Sequence, residues 1–165
     1  MNKFELTNET TTTASGVTLY RIKAIRDFGN VKAGELGGFV EKIENLSMEG
    51  DCWVGGDALV GGNAKVEGNA LVGENAWVRG NAWVCENAKV GGCARVSGNA
   101  TVCENALVCG NAWVRGNVRV SGDARVSGDA RVRENAWVGG NVWIGGNAWV
   151  CGDAKVRENA WVGGN

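Results

Sequence analysis

The chain has 165 residues, with 27 Gly, no Pro and no His, and its 17 Lys and Arg against 18 Asp and Glu give a net charge of −1. That length suits one domain, a 44% hydrophobic share excludes a mostly disordered chain, and no run of 18 apolar residues exists to span a membrane as a helix. Collagen is excluded because Gly follows no third-residue period, the balanced charge gives no global nucleic-acid signature, and zero His removes the commonest general base.

The start, Met1 to Asn8, lacks an apolar signal core, so a cytoplasmic protein with reduced thiols is expected. Lys3–Thr7 and Val17–Phe28 read as two strands joined by a Thr-rich loop, Asn8–Gly16. The Gly-punctuated stretch from Asp27 to Val40 leads into a repeat. Because a solenoid needs a cap on its open end, residues 1–43 are expected to be a small N-terminal β cap.

From Glu44 onward, residues 44–165 follow a six-residue repeat with consensus Gly-Asn-Ala-x-Val-x. After an imperfect first hexad, the fifth position is Val in every case but Ile144. The third is Ala except at Cys52, Val118 and Val142. Ala and Val two apart share one side of an extended strand, and the residue between them points the other way. All eight Trp occupy that intervening position, with Lys65, Lys89, Arg95, Arg119, Arg125 and Arg131. Val is therefore expected inside and Trp outside. Glu replaces Gly at the first position of five hexads (Glu74, Glu86, Glu104, Glu134, Glu158), which makes Asn or Asp at the second position the expected carrier of the left-handed conformation.

Three hexads make one triangular turn of 18 residues, and successive turns stack by parallel pairing. The expected fold is all-β, a single-stranded parallel β-helix. Residues 44–165 resemble the hexapeptide-repeat left-handed β-helix family, with Val54 followed four positions later by Ala58, Val60 by Ala64 and Val66 by Ala70. The left hand is implied by this resemblance, not by the spacing. Asp27 to Val54 is also similar to the opening of bacterial and phage β-helix proteins that often carry a transferase name, which implies a phage or prophage setting. Acyltransferases of the family use a His base and its carbonic anhydrase binds zinc through three His; neither set can be carried over here. No catalytic residue, metal site or cofactor is expected. Cys85 and Cys103 are 18 apart and should stack on adjacent turns, as a ladder of free thiols, a disulfide or a reactive pair.

Folded at period 18, the outward residues fall into three walls. The first carries Trp53, Leu71, Lys89, Leu107, Arg125, Trp143 and Trp161 and reads as flat, apolar and lined with Gly, with Trp53, Leu71, Leu107, Trp143 and Trp161 the candidate surface for self-association into a homo-oligomer. The second carries Trp77, Arg79, Arg95, Trp113, Arg115, Arg131, Arg133 and Trp149, the candidate site for an anionic small molecule or nucleotide. Stacking of Trp and Arg for stability alone remains an alternative on both. The third wall mixes Lys, Trp, Thr, Cys and Glu. The chain still in phase at Gly164-Asn165 adds an open strand edge as a second route to pairing. The functional expectation is a non-enzymatic scaffold or binding protein. Anion or nucleotide binding by the second wall is the runner-up, and an acyltransferase a distant third.

Overall fold

A computed structural model describes Met1–Gly164; Asn165, the last residue of the expected repeat region, lies outside the described residues. From Trp53–Val54 to Trp161–Val162 the chain forms strands of two to four residues separated by corners. They stack as three parallel sheets, one per wall, in a solenoid of about seven turns. The register is 18 throughout: Lys89 pairs with Leu107, Thr101 with Arg119 and Arg95 with Trp113. Among the described residues there is no α-helix, and no helix long and apolar enough to cross a membrane.

The interior is the Val and Ala columns. Val60, Val78, Val96, Val114 and Val132 are fully buried, as are Ala58, Ala76, Ala94 and Ala112. Alternation places both on the inward side of each short strand, so every turn contributes the same small side chains to a continuous core.

At the N-terminal end, β1 (Phe4–Thr12) and β2 (Thr18–Ala24) form an antiparallel hairpin, and β2 pairs antiparallel with β3 (Leu36–Val40). Strand β3 then pairs in parallel with Leu59–Val60, joining the hairpin to the second wall in one sheet of nine strands. The expected loop Asn8–Gly16 is mostly strand. Its Thr run is β-branched and favours extended backbone, and the turn shrinks to Thr13–Val17, where the Thr13 amide donates to the Val17 carbonyl at 2.9 Å. Buried Lys3 fastens the hairpin to the first turn. Its ammonium donates to the carbonyls of Glu49, Gly50 and Cys52 at 3.3, 3.2 and 2.9 Å.

Two further expectations fail. Trp53 is not outward: it is 5% exposed, edge-on to Phe28 at 5.4 Å, because the cap covers the start of the first wall. A Cβ on Gly37 would run into its indole. The left-handed backbone belongs to the first hexad position, not to Asn or Asp. Every first position from Gly50 to Glu158 has positive φ, including Glu74 at 56° and Glu134 at 66°. Stacking of corners overrides residue preference: each turn must bend at the same place to keep register. The Asn and Asp side chains instead bond from turn to turn. The Asn81 amide donates to Asn99 at 2.9 Å, Asn99 to Asn117 at 2.9 Å and Asn117 to Asn135 at 3.0 Å.

Candidate functional site

The second wall brings its sequence-predicted residues together. Trp77, Arg95, Trp113, Arg131 and Trp149 occupy successive rungs in register. The guanidinium of Arg95 lies 5.6 Å from the Trp77 ring and 5.2 Å from Trp113; that of Arg131 lies 5.5 Å from Trp113 and 5.1 Å from Trp149. The rings and cations alternate along the axis because the repeat places them at the same position of successive turns. A parallel column carries Arg79, Ser97, Arg115 and Arg133. Arg79 contacts the Trp77 ring at 5.8 Å and Arg133 contacts Trp149 at 4.6 Å. Arg115 has no such ring contact among the described residues. The three ion pairs among the described residues, Arg21–Glu9, Arg21–Asp57 and Lys32–Asp27, involve none of these five arginines.

The ladder has a consequence for ligand binding. Guanidinium groups sit over Trp113 from both neighbouring rungs, which leaves little of its face for a base to stack on. Trp77 is different. The rung before it is Leu59, so no guanidinium precedes it in its column.

At that point the wall is not flat. The tip of the hairpin (Thr13, Ser15, Val17, Leu19) and Leu59, Gly61, Gly62, Trp77, Val78, Arg79 and Gly80 border a half-open cavity of about 270 Å³. One carboxylate lines it, Glu41, whose Oε2 accepts the Gly62 amide. Opposite are the hydroxyls of Thr13 and Ser15, 3.0 Å apart. The first two rungs of the second wall make room for this. Gly61 stands where the next turn carries Arg79, and a Cβ there would meet the Glu41 carboxylate at 3.1 Å. Sequence reasoning singled out Trp77 and Arg79 but not Glu41, Thr13 or Ser15. The signal for them was the pair Gly61-Gly62, the one place where this wall is bare.

The first wall keeps its column but not its apolar continuity. Trp143 and Trp161 stack at 5.8 Å and 21°, Leu71 is exposed, Leu107 is half-buried, and Lys89 and Arg125 interrupt them. Trp53 is lost to the cap and cannot belong to an exposed surface.

All six cysteines are free. Cys85 and Cys103 lie on neighbouring turns, both buried. Burial, then the neighbouring Cys103 and the carboxylates of Glu86 and Glu67, push the Cys85 thiol up to about 12. Burial also raises Cys103, with the Arg119 guanidinium opposing it. These are protonated thiols, poor nucleophiles. No cluster of three metal-ligating side chains occurs among the described residues.

A family model described as the YdcK β-solenoid repeat matches residues 94–110 and 124–140. No curated protein matches the chain. Among solved structures, the acetyltransferase domain of PglB from Neisseria gonorrhoeae is similar, with a TM-score of 0.62 at 22% identity. The same domain in complex with acetyl coenzyme A gives 0.61 at 22%. Each match covers 69% of this chain but only 55% of the other, so the chain spans little more than half of these neighbours. At this identity the likeness is one of fold. It corrects the expectation of a non-enzymatic scaffold nonetheless, since the same solenoid serves acetyltransferase domains, one of them holding an acyl donor. That expectation leaned on one absence, that of His. The hairpin adds a concavity to the wall, and Glu41 is the carboxylate that lines it. The family match and the structural neighbours agree with the parallel β-solenoid fold of this chain.

Proposed function

We propose that this chain is an acetyltransferase-like protein that takes an acyl-coenzyme A type donor on its second wall, with the reacting end in the cavity beneath the hairpin. The carrying observation is that cavity, where an indole, a guanidinium and a carboxylate meet on a wall otherwise made of stacked Trp and Arg. Its 270 Å³ falls near the lower end of small-molecule sites, about 300–1,000 Å³. That volume suits an acyl-pantetheine arm. The fold shared with an acetyl coenzyme A complex supports the same class of donor. A reducing, cytoplasmic setting fits six free thiols.

In this reading Trp77 and Leu59 line the arm with apolar surface. Glu41, oriented by the Gly62 amide, takes the proton of an acceptor amine or hydroxyl as that group attacks the thioester carbonyl. The carbon–sulfur bond breaks and the leaving thiolate recovers a proton. The products are the acylated acceptor and the free thiol. Fixing both reactants beside one carboxylate supplies most of the advantage.

The test is release of free thiol from acetyl coenzyme A against a panel of amine and hydroxyl acceptors. Wild type turns over, and Glu41→Gln loses at least 100-fold in kcat with little change in donor affinity, as loss of a general base requires. Absence of turnover with every acceptor, together with absence of donor binding, would sink the proposal. So would full activity in Glu41→Gln.

A further inference from the structure

We infer that the small niche of about 30 Å³ lined by Arg79, Arg95 and Arg115 around Ser97 seats one oxyanion of a diphosphate ester, the rest of which lies along the wall outside it. Its residues stand on the wall itself; only its connection to the acyl donor rests on the function proposed above.

Four observations converge on it. First, three guanidinium groups and one hydroxyl line the niche, with Trp113, and no carboxylate does. Second, none of the five arginines of this wall is in an ion pair among the described residues. Third, Arg115 is directly opposite Arg133 in the parallel ladder, a like-charge pair that is destabilising unless an anion lies near it. Arg133 has relief from the Trp149 ring and Arg115 has none. Fourth, the stacked column holds Arg95 between two indoles, so one wall of the niche is already ordered before a ligand arrives.

The spacing selects the ligand. Arg79 and Arg115 are two rungs apart, about 10 Å along the axis. Side chains of that length reach inward from both ends onto two linked phosphates, with Ser97 on the rung between. Guanidinium forks grip phosphate oxygens bidentately, which a single carboxylate or halide would not exploit.

Position connects the niche to the cavity under the hairpin. Arg79 lines both. The cavity is too small for a whole nucleotide-bearing thioester, so the nucleotide end must leave it. Because Arg79 lines both, the niche is the neighbouring place for that end to lie. A diphosphate could equally arrive on a phosphorylated acceptor, and the chemistry recognised is the same.

The experiment is calorimetric titration of the full chain with inorganic pyrophosphate, at low and high salt, for wild type, Arg115→Gln, Arg115→Lys and the third-wall control Arg119→Gln. Each variant is first checked to unfold in one transition no lower than that of wild type. Wild type should bind, more weakly as salt rises. Arg115→Gln should raise Kd at least tenfold, Arg115→Lys should recover only part of that, and Arg119→Gln should match wild type. If wild type does not bind, if Arg115→Gln binds equally well, or if Arg119→Gln loses as much, the niche is not a subsite. A second arm identifies the source. Displacement of pyrophosphate by acetyl coenzyme A assigns the diphosphate to the donor. Simultaneous binding assigns it to the acceptor. Pyrophosphate binding without any affinity for acetyl coenzyme A or thiol release leaves the niche standing and removes the acetyltransferase reading.

Discussion

Arg115 and Arg133 face each other in register on neighbouring rungs of the second wall, two cations with no carboxylate in ionic contact among the described residues. Replacing Arg115 by Glu turns repulsion into attraction across the same pair. The variant should be more stable than wild type by about 0.2–1 kcal/mol in low salt, with the gain fading as salt rises. Chemical denaturation at two ionic strengths measures it. A loss of stability in both would mean that the two guanidinium groups do not repel in solution.

The corners offer a second comparison. Glu74 and Glu86 both adopt the left-handed backbone, at φ 56° and 58°. Glu74 recovers part of that strain because its carboxylate accepts the Gly92 amide on the next turn. No such bond is formed by Glu86. Glu86→Gly should therefore stabilise by about 1 kcal/mol, since glycine takes this conformation without penalty. Glu74→Gly should gain less or lose. Equal shifts in melting temperature would show that the carboxylate contact contributes nothing.

Burial separates two tryptophans at the same repeat position. Trp53 is 5% exposed under the cap and Trp161 is 75% exposed. Trp53→Ala should cost about 3–5 kcal/mol and loosen the hairpin, as large-to-small changes in a core do. Trp161→Ala should stay within about 0.5 kcal/mol. Protease sensitivity of β1 and β2, followed with the unfolding midpoint, distinguishes the two.

Cys85 makes stability fall at high pH. Its folded thiol is held up to about 12, above the unfolded value, so the protonated form is favoured in the folded state. The contribution is complete below the ordinary thiol range of about 8.5 and is lost as pH rises from there toward 12. Cys85→Val should reduce that alkaline loss. In alkylation at neutral pH, exposed Cys93 and Cys151 should react before Cys85 and Cys103.

Much of the fold was legible because a period of six leaves little freedom. Val96 had to be inside if Arg95 was outside, and a period of 18 put Arg95 on top of Trp113 without any structural knowledge. The hexad misled where a non-repeating segment acts on it. Trp53 has the same local sequence setting as Trp143, yet the cap buries one and leaves the other in solvent. Glu74 was misjudged for the opposite reason: single-residue preference was weighed where the stack of corners decides. The cavity was invisible because Thr13, Ser15 and Glu41 sit outside the repeat. Their meeting with Trp77 depends on how the hairpin lies over the wall, a long-range contact that no periodicity encodes. Only the bare Gly61-Gly62 step hinted at it.

The most direct measurement is calorimetric binding of acetyl coenzyme A to wild type and to Trp77→Ala, both confirmed folded by an unchanged melting transition. Binding to wild type, weakened at least tenfold in Trp77→Ala and competed by a hydrocarbon-chain thioester that lacks the nucleotide, is the predicted result. It would place the acyl arm beneath the hairpin, against the one indole of the second wall that no guanidinium precedes in its column. An absence of binding to wild type, or equal affinity in Trp77→Ala, would contradict the account.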